Sequence, residues 1–295
     1  DVQWRTSLVT KEEKVQYWPE SSTDTLTAAA ADFTMEDRLL RNDRYIHRFT
    51  AHLDRLTPAT KYRYRVGSQG NGWSETKSFK TQAAKPEAFS FIWFGDTHKS
   101  ADWGNMARQT LERHPDISFY SIIGDLVSTG LDRNEWDEFF NHSGQIFTQK
   151  PLMPIPGNHD SQDGLGAAMY QNLFSLPTNG PRGLPAERTY AFNYQNALFV
   201  MIDGTFAVED QTAWIEKQLA ESKAKWKFVM LHFPPYNFEE DYARIRKEWG
   251  TLFDRYHVDM VMSGHVHYYM RSKPMYAEKP VLSPAQGTIY TISIS

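Results

Sequence analysis

The sequence predicts two folds in series: a small all-β sandwich over residues 1–84, then a larger α/β layered domain over residues 87–295. Three observations carry this. The first 84 residues read as short alternating segments separated by turn formers. From Glu87 onward strands alternate with helical patterns. Five apolar runs of that second part stop abruptly on polar residues of metal-ligand type: FSFIWFGDTH on Asp96 and His98, SFYSIIGDLV on Asp125, PLMPIPGNHD on Asn158, His159 and Asp160, KWKFVMLHFPP on His232, and DMVMSGHVH on His265 and His267.

In the first part, DVQWRTS, EKVQYW, YIHRFTAHL, KYRYRVGS and TKSFKT are the strand segments. Leu56-Thr57-Pro58 followed by Tyr62, Tyr64 and Val66 is the most informative stretch. Tyrosines two apart on a strand share a face, and one near a strand start can hydrogen-bond back to the preceding corner. This stretch resembles a fibronectin type III module. Trp4 already sits in what reads as a second strand, so a first strand is expected to be missing. Gln82 to Lys85, ending at Pro86, is a short polar linker.

In the second part, apolar residues recur at three- and four-residue spacing over 105–113, 135–147, 211–222 and 241–256, which predicts helices. Residues 161–190 are rich in Gly and Pro and read as loops. YAFNYQNALFVMID reads as a hairpin turning near Asn196. The closing QGTIYTISIS is strand-like, and further residues are expected beyond it.

Composition narrows the chemistry. The chain has 295 residues and a net charge of -4, with no cluster of Lys and Arg, so nucleic acid is not an expected partner. With no cysteine, disulfides and thiolate sites are excluded, and any metal must be held by imidazole, carboxylate or amide. No run approaches the roughly 18 apolar residues of a membrane span. Asn141-His142-Ser143 fits a glycosylation sequon, a triplet common by chance.

Each motif has a bland reading by itself. Asp after a strand caps a helix or forms a turn, Gly157-Asn158 is a turn dipeptide, and His232 before Pro234 is compatible with a satisfied core histidine. Together the five have no cheap structural explanation, because buried imidazoles and carboxylates are costly unless paired or coordinated. In α/β folds ligands collect beyond the carboxyl ends of the strands, which is where all five fall.

The order GDTH (95–98), GDLVS (124–128), GNHD (157–160), VMLH (229–232) and GHVH (264–267) resembles the calcineurin-like metallophosphoesterases, in the branch related to purple acid phosphatases. The likeness spans most of residues 88–295. It implies a four-layer α/β/β/α sandwich with two metal ions at one end, divalent or mixed-valence, and Mn, Fe or Zn by ligand type. Carried over by position, Asp96, His98, Asp125 and His267 would hold one ion. Asp125, Asn158, His232 and His265 would hold the other, with Asp125 bridging. His159 is implied as general acid or transition-state stabiliser. Asp160 would orient it or act as a turn former.

Two departures modify the family pattern. Ser128 stands where purple acid phosphatases have the Tyr ligand whose charge transfer to iron gives their colour, so no purple colour is expected. His98 stands where they usually have Gly, and its imidazole is expected to take over that ion.

The resemblance implies hydrolysis of small phosphate esters by a hydroxide bridging the two ions, monoesters ahead of diesters. The nearest alternative is a phosphodiesterase acting on nucleotides or lipid head groups. A second is a binding or adhesion protein with a relic phosphoesterase domain, which ranks lower because all seven ligand positions are filled. Trp103, Tyr236, Tyr268 and Tyr269 are weighed as pocket walls against packing, and Arg271 as a phosphate contact. The family branch is commonly exported, so an extracytoplasmic or secreted location is expected. Oligomeric state is left open.

Overall fold

The computed structural model describes residues 1–6, 10–37, 44–162 and 166–295. Ser7 of the first predicted strand and residues 163–165 of the predicted loops lie outside them. The chain forms two compact units, one of residues 1–86 with 145–150 and 172–175, the other of the remainder.

The first unit is all-β. One antiparallel sheet has the order Val2–Thr6, Tyr45–Ala51, Ala31–Glu36, and the second is built on Lys14–Pro19 paired with Lys61–Ser68. Alternation gives each strand one apolar face, and Val15, Tyr17, Ala51, Leu53, Tyr62 and Tyr64 meet in a shared core. The tyrosine expected to reach back does so: the Thr57 N–H donates to the Tyr62 hydroxyl at 2.9 Å. Leu26–Ala29 and Ala31–Glu36 are strands that the sequence reading does not contain. Leu26–Ala29 is half alanine and Ala31–Glu36 carries Ala, Asp and Glu, residues with little β preference, and pairing with neighbouring strands decides the matter.

The second unit stacks helices and sheets in the predicted layers. Ile92–Phe94, Tyr120–Ile123 and Leu152–Ile155 form a parallel three-stranded sheet. A six-stranded sheet contains the hairpin Tyr190–Tyr194 and Ala197–Ile202, followed by Trp226–Leu231, Met260–Ser263, Ile289–Ile292 and Met270–Arg271. Phenylalanines interlock between the sheets; the Phe199 ring meets Phe91 and Phe119 edge-on at 5.1 and 5.2 Å. Ala101–Arg113 and Arg133–Ser143 pack against each other on the smaller sheet's side, while Val208–Glu221 and the helical run 243–255 share a core with the larger sheet.

Helix boundaries follow capping chemistry. The first helix starts four residues before its predicted position because the Ser100 hydroxyl accepts from the Asp102 and Trp103 N–H groups. The second ends at Gly144, in the left-handed region (φ 60°), before the predicted limit of 147. The run predicted over 241–256 contains a π-helical segment, Arg246–Gly250, which buries Trp249. The Gly- and Pro-rich stretch carries a short helix, Ala168–Leu173.

Candidate metal centre

Five strands deliver the site. Ile92–Phe94, Tyr120–Ile123, Leu152–Ile155, Trp226–Leu231 and Met260–Ser263 each end at, or one to three residues before, one of the polar motifs. The loops then bond to one another: Asp96 N–H to the Gly124 carbonyl (3.1 Å), His98 N–H to Asp125 (2.9 Å) and Gly264 N–H to His232 (3.1 Å).

Close approach of these loops explains the glycines in the motifs. Gly124 has φ +81°, and a Cβ there would lie 2.3 Å from His232 Nδ1. A Cβ on Gly264 would lie 2.3 Å from Asp96 Oδ2. Asp96, His98, Asp125 and His265 all sit in the left-handed region, with φ of 53°, 41°, 53° and 71°. Such backbone costs energy for residues other than Gly, and persists where the surrounding structure dictates it.

The loops bring together two clusters. Asp96, His98 and His267 have ligand atoms within 4.8 Å of one another, as do Asp125, His232 and His265. Asp125 Oδ2 lies 3.3 Å from His232 Nε2, and Asn158 Oδ1 lies 3.1 Å from the same nitrogen. Asp96 Oδ2 accepts the His265 N–H at 2.7 Å, which links one cluster to the other. All seven residues expected as ligands therefore converge.

The donors suit a cation. Asp96 Oδ1 is buried without a hydrogen-bond partner among the described residues, 3.5 Å from His267 Nε2. Such an orphan is expensive unless something positive completes it. Burial raises the Asp96 pKa. Burial opposes charge on His232, yet the Asp125 and Asp96 carboxylates outweigh it and push the imidazole up. Burial also opposes charge on Asp125, where His232 wins and holds the carboxyl low. His98 and His265 are lowered chiefly by burial, which favours the neutral, ligating imidazole. The His232 Nδ1 donates to the Ile123 carbonyl at 2.7 Å, so Nε2 carries the lone pair in the neutral ring.

His159 and Asp160 differ from these. His159 is exposed, its ring 5.1 Å from that of His98, and its Nδ1 lies 2.8 Å from the Ser128 carbonyl oxygen. The Asp160 carboxylate accepts backbone N–H groups of Gly157 (2.9 Å), Val127 (3.1 Å) and Leu126 (3.2 Å). It ties two motif loops together, and burial together with Asp125 raises its pKa to about 7.

Of the aromatics weighed as pocket walls against packing, two pack. Trp103 is fully buried and stacks on Phe139 at 4.9 Å, and Tyr236 packs edge-on against Tyr290 at 4.6 Å. Tyr268 instead accepts the Phe238 N–H, and Phe238 and Tyr269 are 86% and 74% exposed. The loop carrying Phe238 and Glu240 has no periodic or motif signal in the sequence; only its position eight residues after His232 points to it.

Comparison with known proteins agrees with this architecture. Residues 89–269 match the family model described as calcineurin-like phosphoesterase, and residues 1–81 match the purple acid phosphatase N-terminal domain. Purple acid phosphatase 21 of Arabidopsis thaliana is 28% identical, the match covering 76% of this chain and 53% of that protein. A probable inactive purple acid phosphatase 1 of the same plant is 26% identical over 86% of this chain and 49% of its own length. The chain thus spans about half the length of these curated relatives. A solved purple acid phosphatase from yellow lupin (Lupinus luteus) seeds shares the fold, with a TM-score of 0.83 at 21% identity, over 98% of this chain and 61% of that one. With its two domain matches in the order the fold shows, the chain belongs to the calcineurin-like phosphoesterase family.

Proposed function

We propose that this protein hydrolyses phosphate esters at a two-metal centre, with monoesters ahead of diesters. The observation that carries the reading is the pair of adjoining ligand clusters, each an all-N/O donor set, with an orphaned buried carboxylate oxygen on Asp96. An active-site relic would be expected to have lost ligands, whereas Asp96, His98, Asp125, Asn158, His232, His265 and His267 are all retained.

Asp96, His98 and His267 would hold one ion, and Asn158, His232 and His265 the second, with Asp125 shared between them. Mn, Fe and Zn all suit such ligands. When bound, two such ions supply Lewis acidity, an activated water and neutralisation of charge in an in-line displacement at phosphorus.

The remaining work falls to the protein. A carbonyl oxygen only accepts, so contact with Ser128 keeps the proton of neutral His159 on Nδ1 and leaves Nε2 facing outward. In its protonated form that nitrogen can give a proton to the departing alcohol oxygen. Asn158 adds a donor oxygen without further negative charge, which would repel a phosphate. Asp160 holds the loops of Asp125 and Asn158 in register.

The deciding experiment is hydrolysis of a chromogenic phosphate monoester and the matching diester by chelator-stripped protein resupplied with manganese. Turnover restored by metal, faster on the monoester, is the expected result. Faster diester turnover would move the reading to a phosphodiesterase; bound metal with no turnover on either would favour a binding role.

A further inference from the structure

We propose that Glu240 is a positioning residue for His265, fixing the orientation of that imidazole and the nitrogen it offers to a cation; this rests on the two-metal reading above. Glu240 Oε1 lies 3.3 Å from His265 Nε2. Its other oxygen, Oε2, accepts a short hydrogen bond from the Tyr242 hydroxyl. The carboxylate is thus held at both oxygens, one by a phenol and one by the imidazole.

The backbone that presents Glu240 is itself fixed. Asn237 Oδ1 accepts the N–H groups of Glu239 (2.8 Å) and Glu240 (2.7 Å), closing a side-chain turn. The Phe238 N–H donates to the Tyr268 hydroxyl (2.7 Å), fastening this loop to the one that carries His265 and His267. Arg246 donates to the Pro235 carbonyl (2.9 Å) and to Asp241 (2.7 Å), which anchors the loop from the other side.

The His265 ring is also confined by packing. Phe233 meets it edge-on at 4.7 Å, and Tyr242 at 5.9 Å. A carboxylate can only accept, so beside Glu240 the Nε2 atom is the one that carries hydrogen, and Nδ1 keeps the lone pair for a metal. A ligating histidine whose far nitrogen faces a carboxylate is a stronger and better oriented ligand, and loss of such a partner costs about 10–100-fold in metal affinity. Glu240 is half exposed, which places it at the low end of that range. A mere surface ion pair would leave metal affinity untouched.

The test is titration of chelator-stripped protein with zinc alone, by calorimetry and by competition with a chromophoric chelator. Glu240→Ala is expected to weaken one of the two binding steps about tenfold, with the other unchanged. Tyr242→Phe should weaken the same step less, Glu240→Gln should recover part of the loss, and Glu239→Ala should change neither step. Long-range proton–nitrogen spectra of the zinc-loaded protein should show His265 protonated on Nε2. Unchanged steps in Glu240→Ala, or equal weakening of both with a lower melting temperature of the metal-free protein, overturns the proposal. Wild-type protein that binds no zinc would instead overturn the metal-centre reading beneath it.

Discussion

The His159 imidazole reaches its neighbour Ser128 through Nδ1, 2.8 Å from a backbone carbonyl oxygen, so a main-chain atom sets the tautomer of an exposed histidine at the site. Backbone acceptors do not mutate, so replacing Ser128 leaves this contact in place. Replacing His159 removes the proton donor itself. His159→Ala is expected to lower kcat by about 10²–10⁴ on esters with poor leaving groups. Esters with good leaving groups should be affected far less, and a plot of rate against leaving-group pKa for both proteins checks this.

Asp125 contributes one oxygen near His232 Nε2 (3.3 Å) and the other to the His159 N–H (3.0 Å). As the residue common to both proposed ion sites, it cannot be lost from one alone. Asp125→Ala should take bound metal from two ions per chain to one or none, and activity down by about 10³ or more. Elemental analysis after dialysis reads the first and steady-state kinetics the second.

At Gly124 a methyl group would meet His232 Nδ1 at 2.3 Å on a backbone with φ +81°. Neither the left-handed turn nor the fully buried imidazole can yield cheaply. Gly124→Ala is expected to destabilise the protein by about 3 kcal/mol and to weaken metal binding with it. Urea unfolding with and without zinc separates the two effects.

Ser128 Oγ lies 3.5 Å from His98 Nδ1, beside the cluster with Asp96 and His267. Iron-loaded wild-type protein is expected to show no tyrosinate-to-iron band in the visible spectrum, whereas Ser128→Tyr loaded with ferric iron should acquire one. A colourless Ser128→Tyr with full iron occupancy would argue against placing an ion at this cluster.

Stability at high pH should report on the first unit. Burial pushes the Tyr64 phenol up to about 12, and its hydroxyl donates to the Thr148 carbonyl at 2.8 Å. Its contribution is complete below pH 10, where the unfolded phenol is still neutral, and is lost as pH rises through about 12. The loss amounts to about 2–3 kcal/mol across that window. Tyr64→Phe should therefore be less stable near neutral pH by about 1 kcal/mol, with the gap to wild type closing near pH ~11 and reversed by pH ~12. Chemical denaturation at a series of pH values measures it.

How much of this was legible in the sequence depended on whether the signal was local. The five strand-ending motifs are local, since an apolar run and a ligand residue are contiguous or nearly so, and the structure brings all seven expected ligands together. The Tyr62 contact to Thr57 was legible for the same reason, being five residues long. Ala-rich Leu26–Ala29 escaped notice because its partner strand, not its own composition, makes it a strand. Trp103, near GDTH, left wall and packing both open in the sequence, and its place on the helix turns it inward onto Phe139. Glu240 stands 25 residues before His265, and nothing short of the folded loops shows that the two side chains meet.

The left-handed backbone at Asp96, His98, Asp125 and His265 has a consequence for how this site can change over generations. Apart from glycine, the residues that tolerate such φ values best are asparagine, aspartate and histidine. The chain path therefore screens replacements before metal chemistry does. Glutamate, a sound ligand in other settings, meets resistance at Asp96 from its backbone as well as its extra length. Asparagine passes the conformational screen and fails only on charge. Drift at these positions should run toward glycine and asparagine, which leave the loops folded and the centre silent, so members of such a lineage can lose activity while keeping their shape.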